Sequence, residues 1–150
     1  MSVDLAERLR RFLPGLWAGA LLCIALLATP APFATLDQHD AGRVVSRIFA
    51  QEAWLSLVLG VLLLLLERRR AADLAESRAT SQFSVGMMLA LAAVFFTVLG
   101  YFGLQPLMAA AKAGQGALSF GQLHGLSFGL FGLKILAVTV LAWRALRQAQ

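Results

Sequence analysis

Four apolar runs, at residues 13–33, 53–66, 83–104 and 121–143, dominate the chain, and polar segments rich in arginine separate them. At about 1.5 Å of rise per residue, roughly 20 helical residues cross the hydrocarbon core of a bilayer. The first, third and fourth runs reach that length. The second, between Glu52 and Glu67, is short and needs the turn from Ile48 to Gln51, or snorkelling of its flanking charges, to complete a crossing. Composition agrees: 59% of the residues are hydrophobic and 14% charged, with a mean hydropathy of +0.75, outside the soluble globular range. The expected fold is all-α: one domain over residues 1–150, an integral membrane four-helix bundle with an amphipathic helical extension between spans 1 and 2.

The punctuation between runs sets their limits. A basic N-terminal segment before an apolar run also describes a signal peptide, but the run continues into Pro30 and Pro32 with no A-x-A site at its end, which favours a retained span. The two prolines mark its distal end. In the following segment Val44, Val45, Ile48 and Phe49 recur at helical spacing, while Arg43 and Arg47 share another face, and this predicts the amphipathic extension. After the second run, ERRRAADLAESRATSQ has helix-forming residues and mixed charge and extends the second helix into solvent. Pro106 closes the third run, and MAAAKAGQGALSF reads as a small-residue loop with one helical turn.

A net charge of +5 invites a nucleic-acid reading, but the arginines sit in short clusters beside apolar runs, where they orient a membrane protein. Arg8, Arg10, Arg11, Arg68, Arg69, Arg70, Arg78, Arg144 and Arg147 fall on one side, against Arg43, Arg47 and Lys112 on the other. The bias puts both termini in the cytoplasm and the amphipathic segment outside, as in a multi-pass protein of a bacterial inner membrane. The expected partners are the lipid bilayer and another membrane protein or a second copy, with no nucleic acid. Cys23 has no second cysteine to pair with.

The segments AGRVVSRIF, from Ala41 to Phe49, and LHGLS, from Leu123 to Ser127, together with Ala31, Pro32 and Phe33, carry a family resemblance. From about Leu16 to Arg144 the chain resembles the bacterial domain-of-unknown-function 4149 family, also described as transmembrane-protein-205-like. The resemblance implies a four-helix integral membrane protein without an established biochemical activity. It also suggests a distant likeness, at the level of fold, to copper-resistance-type membrane proteins and haem-linked membrane oxidoreductases.

The candidate functional residues are polar groups where apolar ones would suffice. In the last run Gly121, Gly125, Gly129 and Gly132 form one stripe, and Gly15 and Gly19 in the first run are the expected partner stripe for close helix packing within the bundle. His124 lies beside that stripe near the exterior interface, with Glu52, Tyr101 and Gln105 expected at similar depth, and a Glu52–His124 hydrogen bond or ion pair is the natural way to satisfy both. The same imidazole, with Glu52, His39 or Met108, is a candidate ligand for haem or copper. Lys134 points away from the stripe at cytoplasmic depth, where snorkelling toward phosphates or Glu67 is expected, with a substrate or proton pathway as the functional alternative. Trp17, Trp54 and Trp143 are expected as interface anchors. No nucleophile with its base, phosphate-cradling loop or carboxylate pair is present, so the leading reading is a binding or assembly component with no chemistry of its own. The alternatives are a haem- or copper-binding redox protein centred on His124 and a small transporter or tolerance factor using Lys134.

Overall fold

The computed structural model describes residues 3–78 and 83–147, with side chains described over 5–74 and 83–147. Within that range the chain is helical: α1 (Val3–Cys23), a π-helical segment (Ile24–Ala28), α2 (Pro30–Thr35), α3 (Gln38–Arg78), α4 (Val85–Thr97), a second π-helical segment (Val98–Gly103), α5 (Leu104–Lys112) and α6 (Phe120–Arg147). These make four rods, each long and apolar enough to cross a membrane. Residues 79–82 of the connector lie outside the described range, as does the Arg78 side chain.

Local chemistry sets the rod ends. Asp37 caps α3 by accepting from the backbone N–H groups of His39 and Asp40 at 2.9 and 3.0 Å. Ser84 caps α4 through the N–H of Met87 at 3.1 Å. Ser119 and Gln122 form a reciprocal capping box at the start of α6. Gly114 ends the α5 rod with a φ of 73°, a left-handed conformation that glycine adopts without steric cost.

Two expected boundaries are crossed. Pro30 and Pro106 do not stop their rods, because each follows a π-helical segment. A proline ring clashes with the carbonyl four residues back, and a widened turn re-routes the bonding, as Thr29 N–H to Ile24 O at 2.9 Å shows. The third rod therefore continues to Lys112, where a loop was expected. The second rod is longer than its apolar core, because the amphipathic segment and part of the charged connector join it as one 41-residue helix.

Around the bundle α1 lies against α3 and α6, and α4 lies against the same two, so α3 and α6 face each other across the diagonal. Both run from the end that carries the α2–α3 and α5–α6 connections, here the loop end, toward the end that carries the chain termini. The main apolar core is in the terminal half, from Leu13, Trp17 and Leu21 of α1, Leu63 and Leu66 of α3, Ala90 and Ala93 of α4, and Val138 and Leu141 of α6. A smaller cluster of Leu104, Leu123 and Leu130 closes the loop end.

Small residues bring the rods together, on helices other than those expected. Gly86, Ala90, Ala93 and Thr97 are buried along one face of α4, and Ala53, Ser56 and Gly60 along α3. A Cβ on Gly60 would overlap Val94 Cγ2, and one on Gly86 would overlap the Glu67 carboxylate. Gly15, Gly19, Gly121, Gly125, Gly129 and Gly132 have no such neighbour within 4 Å and lie exposed. The expected packing of these two stripes within the bundle does not occur, because α1 and α6 meet through their larger side chains.

Candidate functional site

The sequence places a glutamate and a lysine in apolar runs, and the fold joins them. Glu52 and Lys134 each lie fourteen positions into their helices, about 21 Å along rods that start at the same end. Lys134 Nζ reaches across the diagonal to donate to Glu52 Oε1 at 2.6 Å, and both side chains are 3% exposed. Ser56, one turn along α3, donates to the same carboxylate oxygen, and Trp17 Nε1 of α1 donates to Ser56 Oγ at 3.0 Å. The lysine ammonium also sits 4.8 Å above the Phe131 ring, itself edge-on to Phe49. Three helices thus contribute to one polar layer inside an apolar bundle.

That layer corrects several expectations. Glu52 pairs with Lys134 and not with His124, and Lys134 does not snorkel. A lysine at the middle of α6 reaches the bundle axis because side chains on a helix lean toward its N-terminus, as the glutamate of parallel α3 does. Trp17 is fully buried and is no interface anchor, whereas Trp54 and Trp143 are 63% and 59% exposed.

A second ionic cluster lies at the terminal end. Arg10, 2% exposed, donates to Glu67 at 2.9 Å and to both carboxylate oxygens of Glu7 at 2.8 and 2.9 Å. Arg11 and Arg70 also approach Glu7, at 2.7 and 4.0 Å. Glu67 enters the gap between α3 and α4 because Gly86 leaves room there, and it accepts from Ser84 at 3.4 Å.

The remaining sequence candidates do not assemble around His124. Its ring stacks on Phe120 at 5.7 Å and is exposed. Among the described residues no three His, Cys, Asp or Glu side chains converge. Met108 packs against the loop-end apolar cluster. Gln105 is half-buried at the start of α5. Tyr101 lies in the second π-helical segment, whose Gly100 carbonyl accepts from Ser127 at 3.3 Å.

Tyr101 belongs instead to an open cavity of about 580 Å³ at the loop end, lined by Gln38, His39, Gly42, Arg43, Ser46, Arg47 and Ala50 of α3, by Tyr101, and by Lys112 of α5. Among the described residues no carboxylate lines it. The amphipathic spacing of the arginines was visible in the sequence. Their convergence with Lys112 was not, because it depends on the third rod continuing past Pro106.

A family model described as a domain of unknown function, DUF4149, matches residues 12–117. That stretch includes Trp17, Glu52, Ser56 and the whole cavity lining, and Lys134 follows it. No curated protein and no solved structure matches the chain.

Proposed function

This chain belongs to the DUF4149 family, whose description assigns no activity, and from its geometry we propose that it is a binding or assembly component of a bacterial inner membrane, multi-pass, with both termini cytoplasmic. It holds a ligand or a membrane-protein partner and does no bond chemistry of its own. One observation carries this reading: the buried ionisable side chains are engaged with one another, Glu52 with Lys134 and Glu67 with Arg10, while an open basic cavity stands at the loop end. Acid–base or nucleophilic work needs a group free to meet a substrate. Purification from bacterial membranes in mild detergent tests it. A stoichiometric co-purifying protein or small molecule supports the proposal, and a Soret band or stoichiometric copper lost in His124→Ala overturns it. Orientation has its own test in a Cys23→Ser background: Ala117→Cys reacts with an impermeant maleimide in intact spheroplasts and Arg147→Cys does not.

A second reading, a small transporter, is favoured by the position of the Glu52–Lys134 pair across the bundle diagonal, since paired intramembrane charges mark ion and substrate paths. It requires that pair to open. A doubly neutral Glu52→Gln, Lys134→Met variant that stays folded would then lose uptake in proteoliposomes while still co-purifying with its partner.

A further inference from the structure

We propose that the loop-end cavity is a binding site for a phosphoryl group carried on a small organic body. The inference rests on the binding reading above and assigns that reading a place and a ligand chemistry.

The cavity, about 580 Å³, has the size of a small-molecule site. Its charge is one-sided. Arg43 and Arg47 stand one turn apart on α3, Lys112 comes from the last turn of α5, and the imidazole of His39 lies on the same wall. Like charges one turn apart on a helix repel, and a third cation from another rod adds to the repulsion. The nearby acids relieve it only in part: Asp40 pairs with Arg43 at 3.5 Å, where both side chains are more than half exposed, and the Asp37 carboxylate caps α3. Among the described residues neither Arg47 nor Lys112 is paired with a carboxylate, and Lys112 has only the Phe120 ring, 4.8 Å away.

An oxyanion resolves this arrangement. A phosphoryl group carries more than one negative charge and three terminal oxygens, enough for two guanidinium forks and an ammonium together. Tyr101, also in the lining, carries a hydroxyl that can act as a neutral donor. Inorganic phosphate alone would leave much of the volume unfilled, so the ligand has a body behind its phosphoryl group. The cavity is at one end of an apolar bundle, and the membrane reading above turns that end toward the headgroups of the bilayer. The same chemistry is therefore offered by the phosphomonoester headgroup of a phosphatidic acid and by a water-soluble phosphate monoester.

The experiment uses the full chain in a non-ionic detergent, with two probes. Glycerol 3-phosphate is titrated calorimetrically against glycerol, and retention of phosphatidic acid is compared with that of diacylglycerol by native mass spectrometry. Arg47→Gln and Lys112→Gln are the site variants, and Arg147→Gln, exposed at the opposite end, is the control. At least one phosphoryl probe binds in preference to its neutral counterpart, and each site variant weakens it about tenfold or more, the effect expected from losing a charged hydrogen bond. Arg147→Gln leaves binding unchanged. Preference for the lipid probe identifies a headgroup as the source, and preference for the ester identifies a soluble ligand. Binding of neither probe overturns the proposal, as does an equal loss in Arg147→Gln, which would reduce the effect to general surface charge. A chain that binds neither probe yet co-purifies with a stoichiometric protein loses this inference and keeps the binding function.

Discussion

The two ionic layers of the bundle use the same residue types under different constraints. The central layer has one cation and one carboxylate, Lys134 and Glu52, supported by Ser56 and Trp17 and surrounded by apolar helix faces. The terminal cluster, fifteen positions farther along α3 and so about 22 Å away, spreads its charge over Glu67, Arg10, Glu7, Arg11 and Arg70 and grades into the surface, where Arg11 is 41% exposed. A buried charge that loses its sole ionic partner has nothing to replace it, whereas a member of a graded network is served by its neighbours and by water. The central pair is therefore the less tolerant of the two, even though fewer groups take part in it.

The largest expected effect follows from that difference. Glu52→Ala leaves Lys134 buried and unpaired, and the folded bundle loses about 3–5 kcal/mol, read as loss of stability on titration with a denaturing detergent. The double variant Glu52→Leu, Lys134→Met recovers most of it. Arg10→Ala costs less, about 2 kcal/mol, since Glu67 keeps Ser84 and Glu7 keeps Arg11. An equal loss at both sites would break the comparison.

Next in size are the glycines that admit close contacts. Gly86→Ala drives a methyl group into the Glu67 carboxylate and Gly60→Ala drives one into Val94, each costing about 1–3 kcal/mol in the same titration. Trp17→Phe keeps the ring in the core but removes the donor to Ser56, and costs about 1 kcal/mol. The smallest effect is expected on the exposed face. Gly125→Ala and Gly129→Ala meet open space and leave the bundle unchanged or stabilise it by up to about 1 kcal/mol, because alanine loses less backbone freedom than glycine on folding. Destabilisation there, together with loss of a dimer in crosslinking, would show that a second copy of the chain covers that face.

The glycine comparison also shows what was legible in the sequence. Glycine alone was a misleading sign of close packing, since the contact faces are built from alanine, serine and threonine as well, and Ala90, Ala93 and Thr97 on α4 repeat at helical spacing as clearly as Gly121, Gly125 and Gly129 on α6. A stripe shows that a face is smooth and does not show which neighbour it meets. The two prolines misled because the rule that proline ends a helix holds for α-helical bonding, and the π-helical turns before Pro30 and Pro106 change the bonding.

By itself the sequence determined the four apolar rods, their approximate limits and the asymmetry of their arginines, because these follow from local hydropathy and from charge placed beside each rod. Which polar residues meet was decided only by the tertiary structure. Glu52 and Lys134 are eighty-two positions apart on rods that do not touch as neighbours, and their pairing required the ring order α1, α3, α4, α6 and the parallel run of α3 and α6. The same holds for the basic cavity, whose lining joins Lys112 to Arg43 and Arg47 because the third rod passes its proline. Helical periodicity assigns each side chain a face, and the arrangement of the rods decides what that face meets.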